Sequence, residues 1–490
     1  MRGAEPISVK PGAWLEPNTE EPDAGAGSSA RPSGRLVRLL AERELWALGL
    51  LQLLLFWRPL FGGTAFFRDL HLLAFWVRRR AGEMLAAGEL PFWDPYLHAG
   101  QPLFGSPTHS VAYPTVLLQV VLPPTAAFNA EIVLHLALCG LGAYLAARVL
   151  RLGPGPALVA AIVFELAGCT LALTNLLNRI LAFPHLPLAF AFWHLHLREG
   201  RLRWLGLAAV SCALMGLAGF PELVVLAFAF LLGWGLVAEE GRGRRGFVAG
   251  RWAVLGLTSA GIAAFQLLPA VAYAAFSQRG AGLPAVNALT WSVHPLRLLE
   301  LAFPGLLGRP DLVGDLMWGL PLEGGLVPYL VSIYAGFPAL LLALAGARGD
   351  GAPGGLARGV RVVLAGTVAA GVLLSLGRHL PGVEQLFEAV PRLGVFRFPV
   401  KALVATVLPL SLLAGAGARR LFWNGEGGGA RRRVGIVVLA CAALLLVVAD
   451  SDEGVRALFF LLFGGVPQEE ASDGFRACLL HGALALAAIG

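Results

Sequence analysis

Apolar runs that are long enough to cross a lipid bilayer recur along this chain, and they constrain its fold more than any other feature. A helix needs roughly 20 apolar residues to span a membrane, and these runs lack the apolar–polar alternation of spanning strands. In addition, 57% of the residues are hydrophobic and only 14% are charged, against about 25% charged residues in soluble domains. The sequence therefore predicts an all-α polytopic membrane protein.

Hydropathy predicts a bundle of about 12 transmembrane helices within one domain, residues 45–490. The predicted spans are 45–61, 128–150, 156–175, 180–197, 203–219, 221–237, 252–275, 326–346, 360–376, 400–418, 433–450 and 476–490. The apolar stretch 111–123 is too short for a span and is predicted to be re-entrant or interfacial. Residues 1–44 begin with a stretch rich in Pro, Gly, Glu and Ser and are predicted to be a disordered tail. No apolar core precedes residue 45, so no cleavable signal peptide is expected.

The distribution of arginine predicts the topology. Short loops on one side of the predicted bundle are basic, as in REGRLR and EEGRGRRG, which is typical of cytoplasmic loops. This places the N-terminus in the cytoplasm of a multi-pass protein of the cell membrane. Long outer loops are then expected at 62–127, 276–325 and 377–399, the first of them carrying interfacial helices. The inner loops contain no phosphate-binding GxxxxGK[ST] motif, so function is expected at the outer face.

The charge and the cysteines exclude other classes of site. The net charge of +7 comes mostly from arginines at helix ends, which set topology and do not indicate nucleic-acid binding. The five cysteines all lie in apolar segments without CxxC spacing. They predict neither a disulfide framework nor a zinc site.

Asp69 is the first candidate for chemistry, because it lies in a polar loop just after the first predicted span. A carboxylate at the membrane surface can act as a general base on an acceptor hydroxyl or help to hold a divalent cation. The alternative is a structural N-cap of the helix that follows, since aspartate is a favoured cap residue.

The first outer loop carries further candidates for substrate binding. The segment 69–90 is predicted to be an interfacial helix in which Arg79 belongs to an arginine cluster that can contact lipid phosphates. The next segment, LPFWDPYLHAGQPLFGSPTHSVAYPT, places Asp94, His98 and His109 among aromatic residues. Aromatic rings with polar neighbours suit sugar faces, although such rings are also typical of the membrane interface.

Charged residues inside apolar runs form another group, because burying a charge in lipid is costly. Glu131, His135, Glu165 and Glu222 interrupt predicted spans, and Arg179 and His185 flank another. Glu222 follows a GFP break at the outer end of a span and is predicted to contribute to the site near Asp69. For Glu131 and Glu165, a structural pairing is the favoured alternative.

Arg397 and Lys401 are basic residues at the outer start of a span, against the positive-inside trend. The chain has only two lysines, Lys10 and Lys401, and uses arginine elsewhere. This indicates that position 401 requires an ammonium group. A phosphate or pyrophosphate clamp beside a helix N-terminus would use such groups. The alternative is two side chains that extend along apolar surface to reach water.

These motifs together resemble a known family. LPFWDPYLHAGQPLFGSP is similar to the PLWNPYxFxGxP signature of the YfhO-like bacterial membrane proteins. The Asp after the first span, GFPE at 219–222, SVHPLRLLELAFPGLLG at 292–308 and FRFPVK at 396–401 follow in that family's order. The family resembles the GT-C integral-membrane glycosyltransferases, which carry a catalytic carboxylate in the first outer loop. Members usually continue with a large extracytoplasmic region, so a chain ending in the apolar run before Gly490 resembles a short or truncated form.

The resemblance implies transfer of a sugar from a polyprenyl-phosphate carrier to a cell-envelope glycan or lipid at the outer face. It matches the catalytic carboxylate to Asp69 and suggests Asp94, Arg397 and Lys401 as site residues. A divalent cation, Mg²⁺ or Mn²⁺, is compatible with this chemistry but not required, because basic side chains can stabilise the leaving phosphate. The alternatives are a lipid-linked saccharide flippase or transporter and a non-catalytic envelope-assembly protein.

Overall fold

The computed structural model describes residues 42–63, 69–237, 245–277, 282–308, 317–349, 355–423, 443–463 and 469–487. Within these residues the regular structure is helical apart from one pair of two-residue strands, Trp93–Asp94 and Gln101–Pro102, which run antiparallel. The prediction of an all-α protein is therefore confirmed. The predicted tail, apart from residues 42–44, and the segment 424–442 lie outside the described residues.

The longer helices are numbered in chain order. They are α1 (Arg43–Leu60), α2 (Phe75–Ala86), α3 (Pro124–Val149), α4 (Pro154–Leu166), α5 (His185–Glu199), α6 (Leu202–Ala218), α7 (Pro221–Val237), α8 (Arg245–Ala275), α9 (Phe337–Ala347), α10 (Arg358–Leu376), α11 (Ala402–Ala418), α12 (Asp452–Phe463) and α13 (Glu469–Ala487). Short α-helices lie at Leu118–Val121, Gly168–Leu173, Leu177–Ala182, Ala285–Ala288 and Val383–Ala389. A π-helical turn, Leu70–Ala74, leads into α2.

Five helical segments in the described part are long and apolar enough to cross a membrane: Pro124–Val149, Leu177–Glu199, Arg245–Ala275, Arg358–His379 and Pro399–Trp423. The first, second and fifth are mostly buried and form the centre of the bundle, whereas α8 and α10 expose most of their apolar surface. An exposed apolar helix of this length is stable where lipid replaces water. The chain is therefore a helical membrane protein, and the total of about 12 spans stays a prediction.

Two predicted spans differ from the structure. The segment 156–175 is interrupted at Ala167, whose ψ of 138° is not helical, and the Gly168 N–H donates to the Tyr334 carbonyl at 2.6 Å. The segment 326–346 is helical only from Phe337 onward. Residues 331–336 form no regular element because they insert at the break before Gly168, a contact between chain segments that hydropathy does not report.

The connections between helices differ at the two ends of the bundle. At one end, here called the loop end, residues 107–110 contact the turn between α6 and α7. The loops that join α8 to α9 and α10 to α11 lie at the same end, where Lys401 contacts Glu222 beside that turn. Those two loops hydrogen-bond to each other, with Phe398 N donating to Ala288 O at 2.8 Å and Val400 N to Trp291 O at 3.2 Å. At the opposite end the described connections are short, and Arg148 pairs there with Glu42 at 2.7 Å. Side chains with the potential for chemistry therefore collect at the loop end.

Candidate functional site at the loop end of the bundle

Three charged side chains from distant parts of the sequence meet at the loop end. Lys401 donates a hydrogen bond to Glu222 Oε1, and Arg179 Nη1 lies 3.5 Å from Glu222 Oε2. Lys401 is only 3% exposed and Arg179 only 8%. These residues are called the charged triad. Glu222 and Lys401, both predicted as substrate-binding residues, are in direct contact here, and their role in binding a substrate stays a prediction.

The triad carries more positive than negative charge. One carboxylate faces two cations, so one positive charge is left uncompensated within the triad. Two of its residues also lie at the N-terminal end of a helix: Glu222 in the first turn of α7, and Lys401 directly before α11. Helix N-termini favour negative charge because their first N–H groups lack intrahelical partners. The arrangement suits an anion.

Aromatic rings surround the lysine of the triad. The Lys401 Nζ atom lies 4.9 Å from the centroid of the Phe398 ring and 5.5 Å from that of Tyr329. Trp291 contacts both rings, with centroid distances of 4.4 Å to Phe398 and 5.5 Å to Tyr329. Cation–π attraction is stronger where the cation is shielded from water, so these rings help to hold a buried ammonium in place.

Arg397 contacts the same aromatic group. Its guanidinium carbon is 4.4 Å from the Phe398 ring centroid, and its side chain is partly exposed. The FRFPVK motif thus places two cations, Arg397 and Lys401, against the ring between them in sequence. Their predicted role as a phosphate clamp stays a prediction.

The first loop is tied to the triad through the turn between α6 and α7. Gly219 has a φ of +86°. Its carbonyl oxygen accepts hydrogen bonds from Arg179 Nη1 and Asn178 Nδ2, each at 3.0 Å. A Cβ at this position would overlap the Pro107 carbonyl, so the residue must be glycine. The Ser110 hydroxyl donates to the Ala218 carbonyl at 2.7 Å. Loop residues 107–110 therefore lie directly on the turn that leads to Glu222.

A buried ion pair anchors that loop from below. Arg78, fully buried in α2, donates to both carboxylate oxygens of Glu131 in α3 and to the Ser110 carbonyl at 2.7 Å. Thr115 also donates to Glu131. The structural role expected for Glu131 is thereby supported, and its partner is the arginine that precedes Arg79.

Tyr113 adds a second buried anchor. Its hydroxyl lies 2.8 Å from His135 Nε2 and 2.7 Å from His185 Nε2, while His135 Nδ1 lies 2.6 Å from the Glu131 carbonyl oxygen. Because that carbonyl can only accept, a neutral His135 donates through Nδ1 and accepts from Tyr113 through Nε2. Burial, reinforced by the charge of Glu131, raises the pKa of the Tyr113 hydroxyl above its usual value. The phenol therefore stays a hydrogen-bond donor.

Asp69 is exposed and lies immediately before the helical turn Leu70–Ala74. Its side chain makes no capping hydrogen bond, and its backbone is already in the helical region of φ and ψ. The N-cap alternative raised by the sequence therefore finds no hydrogen bond here. The structure leaves the carboxylate on the surface of the first loop, and a catalytic role stays a prediction.

The other predicted loop residues have contacts within the loop. Asp94 is buried and its Oδ1 accepts a hydrogen bond from Tyr96 N at 3.0 Å, which fixes the turn between the two short strands. Arg79 is exposed and pairs with Glu83 at 2.9 Å. His109 is buried in the turn Pro107–His109. The side chain of His98 lies outside the described part of the structure.

A cavity of about 510 Å³ lies beside this loop. Its lining is almost wholly apolar and comes from α2, from residues 90–117 and from α8, including Leu85, Phe92, Phe104, Tyr113 and Phe265. An apolar cavity of this size can hold part of a hydrocarbon chain. Tyr113 connects the cavity wall to the anchors that fix the loop.

The donor groups do not form a protein-built metal cage. Among the residues that the structure describes, no three His, Cys, Asp or Glu side chains come together as ligands. In the triad, the carboxylate of Glu222 already faces two cations. A divalent cation at the triad would be repelled by Arg179 and Lys401, and its involvement in the chemistry stays a prediction.

Sequence analysis noted Arg179 beside an apolar run but did not assign it to the site, and it missed the aromatic residues. Arg179 begins an apolar segment at the loop end, which is the same departure from the usual placement of arginine that marked Lys401. This unusual placement of a basic residue could have identified Arg179 as a site residue. Trp291 and Tyr329 carry no comparable signal, because their proximity to Lys401 depends on two loops far apart in sequence.

Fold and site together define a helical membrane protein with a cationic, aromatic-lined site at one end of its bundle. No family model and no curated protein matches the chain, so the resemblance to YfhO-like proteins stays a prediction. Among solved structures, the chain is similar to that of ArnT from Cupriavidus metallidurans bound to undecaprenyl phosphate. The TM-score is 0.47 and the sequence identity 16%, over 92% of this chain and 77% of that one. A similarity at this level assigns no activity.

Proposed function

We propose that this protein is a membrane glycosyltransferase that moves a sugar from a polyprenyl-phosphate carrier to a cell-envelope acceptor. The observation that carries the proposal is the charged triad, in which Arg179 and Lys401 are both buried and share a single carboxylate. A cluster with equal numbers of positive and negative groups would be sufficiently explained as a structural ion pair. The uncompensated positive charge in the triad favours binding of an anion. The phosphate of a lipid carrier is negatively charged and lies at the membrane surface.

The apolar cavity supports a lipid-linked donor in particular. Its lining of leucine, phenylalanine and proline side chains suits hydrocarbon. A carrier whose phosphate lies at the triad needs an apolar place for its chain, whereas a soluble nucleotide sugar does not. The exposed apolar surfaces of α8 and α10 are suited to contact with lipid.

The reaction follows from these roles. The acceptor hydroxyl oxygen attacks the anomeric carbon of the donor sugar, and the bond from that carbon to the phosphate oxygen breaks. The acceptor proton passes to the carboxylate of Asp69, and the phosphate leaves with the bonding electrons as polyprenyl phosphate. Arg179, Lys401 and Arg397 stabilise the charge that develops on the leaving phosphate. Attack from the opposite face inverts the configuration of the sugar.

The Asp69→Asn variant is expected to lose sugar transfer by roughly 10²- to 10⁴-fold, the usual contribution of a general base. Asparagine keeps the shape of the side chain, and the Asp69 side chain makes no capping hydrogen bond that could be lost, so folding and donor binding should be retained. The measurement is transfer from radiolabelled polyprenyl-phosphate sugars to a panel of envelope acceptors by the full-length protein in nanodiscs.

Glu89→Gln is the matched control, because Glu89 is another exposed carboxylate of the same loop. This control should retain wild-type turnover. Wild-type turnover in the Asp69→Asn variant would remove Asp69 from the mechanism. A flippase would instead move the labelled lipid across a bilayer with the sugar still attached, which the same preparation distinguishes.

The proposed orientation places the loop end outside the cell. Ser106, in the first loop, is buried and is therefore a poor labelling site, whereas Tyr96 is 82% exposed. A single cysteine at Tyr96 should react with a membrane-impermeant maleimide in intact cells. A single cysteine at Arg203, which lies near the opposite end at the start of α6, should react only after the cells are permeabilised. Labelling of both from outside would overturn the orientation and the location of the reaction.

A further inference from the structure

Trp291, Tyr329 and Phe398 form a continuous group of rings beside the charged triad and are called the aromatic wall. We propose that this wall is the subsite for the sugar ring of the substrate, with the apolar C–H face of a pyranose lying against the rings. The inference rests on the proposed function, since it assigns the carbohydrate part of the same substrate. It makes the three rings determinants of sugar binding, separate from the groups that bind phosphate.

The rings of the wall are held rigidly. The Trp291 indole N–H donates to the Val327 carbonyl at 2.9 Å, and the Tyr329 hydroxyl accepts from Arg179 Nε at 3.1 Å. Phe398 packs edge-on against Trp291 and contacts the cations of both Arg397 and Lys401. Each ring therefore has a fixed orientation before any ligand binds, and a preformed surface loses little entropy on binding.

Two residues of the wall have a strained backbone. Trp291 has φ +55° and Phe398 has φ +67°, in the left-handed region that bulky residues rarely adopt. Glycine would relieve this cost at either position. Strain of this kind persists where the surrounding structure imposes it, commonly at binding sites. Two strained aromatic residues with rings 4.4 Å apart indicate that the rings themselves are required.

The chemistry of the wall favours a sugar over a lipid chain. All three side chains are partly exposed, so ring surface remains available to a ligand. The rings are bordered by Arg179, Glu222 and Lys401, whose charged groups can hydrogen-bond to hydroxyl groups as well as to phosphate. A hydrocarbon chain would gain nothing from such neighbours and already has the apolar cavity. A pyranose has both an apolar face and a rim of hydroxyl groups.

The test compares two ligands on the full-length protein in nanodiscs by titration calorimetry. One is a short-chain prenyl-phosphoryl hexose, taken from a panel of hexoses, and the other is the same prenyl phosphate without sugar. The sugar-bearing ligand of the preferred hexose should bind wild type at least about tenfold more tightly. Trp291→Gly should remove most of this ratio, a loss of roughly threefold to tenfold for one ring, while the affinity for sugar-free phosphate stays within about twofold.

Two further variants separate a lost ring from a damaged fold. Glycine suits the backbone of residue 291, and Trp291→Phe keeps a ring while losing the hydrogen bond to Val327, so its ratio should be intermediate. Trp204→Leu removes a partly exposed tryptophan at the opposite end of the bundle, where the indole bonds to Glu199. That control should keep the wild-type ratio.

The outcomes distinguish the wall from the function on which it rests. If sugar-free prenyl phosphate binds but the hexose adds no affinity, or if Trp291→Gly keeps the full affinity ratio, the wall does not bind the sugar. The proposed phosphate site is unaffected by that result. If prenyl phosphate fails to bind wild type, the proposed function fails. The sugar-binding role of the wall is then tested by titration with methyl hexopyranosides, followed by tryptophan fluorescence. A fluorescence change in wild type that is absent in Trp291→Phe supports the role, and no change in wild type overturns it.

Discussion

Replacing Lys401 with glutamine is expected to weaken binding of a prenyl phosphate by roughly 10- to 100-fold. A hydrogen bond to a charged group contributes about 1.5–3 kcal/mol, and each 1.4 kcal/mol changes affinity about tenfold. The Lys401 ammonium is buried between two aromatic rings and one carboxylate, where solvent screens its charge only weakly. Titration of the full-length protein in nanodiscs with a short-chain prenyl phosphate measures the effect.

Arg397→Gln should lower the same affinity, by a smaller factor because its guanidinium is more exposed. Lys401→Arg should also lose affinity, since a planar guanidinium does not fit a site built around a compact ammonium. Arg392 is an exposed basic residue of the same loop, and Arg392→Gln controls for general attraction of anions to the surface. That control should bind prenyl phosphate as wild type does.

Glu222→Gln separates an anion site from a structural ion pair. If the triad binds phosphate, removal of its carboxylate leaves Lys401 and Arg179 without a counter-charge, and prenyl phosphate should bind at least as tightly as in wild type. The ligand should then raise the melting temperature more than it does in wild type, because it supplies the missing negative charge. Equal loss of binding in Glu222→Gln and Lys401→Gln would show that the triad is only structural.

Glu131→Met is expected to destabilise the protein by about 3–5 kcal/mol, the usual cost of leaving one partner of a buried ion pair without the other. Arg78 would keep its hydrogen bond to Ser110 but lose the carboxylate that neutralises it. Thermal unfolding in detergent, followed by the fluorescence of a thiol-reactive dye at buried cysteines, measures the change.

Glu165→Met is the matched control for that prediction. Glu165 is as fully buried as Glu131, yet neither of its carboxylate oxygens has a hydrogen-bond partner among the described residues. An apolar side chain of similar length removes an unsatisfied polar group that costs about 1–3 kcal/mol. Glu165→Met should therefore raise the melting temperature where Glu131→Met lowers it. The same loss in both variants would show that shape, and not charge pairing, decides stability at these positions.

The residues of the site were only partly predictable. Glu222 and Lys401 stood out because each is a charged residue at the margin of an apolar run, where desolvation is costly. Their direct contact was not evident, since 179 positions separate them. Arg79 was selected from the arginine cluster, yet the buried member is Arg78. Neighbouring positions of a helix point about 100° apart, and the sequence pattern did not resolve which one faces α3.

The sequence by itself determined that this is a helical membrane protein and where most of its helices run, because hydropathy and segment length act locally along the chain. Only the tertiary structure decided that residues 331–336 break the predicted spans and that Arg179, Glu222 and Lys401 share one site. It also decided that Trp291, Tyr329 and Phe398 form a wall beside that site. These outcomes depend on which loops meet at one end of the bundle, and such contacts between distant segments leave no periodic signal in the sequence.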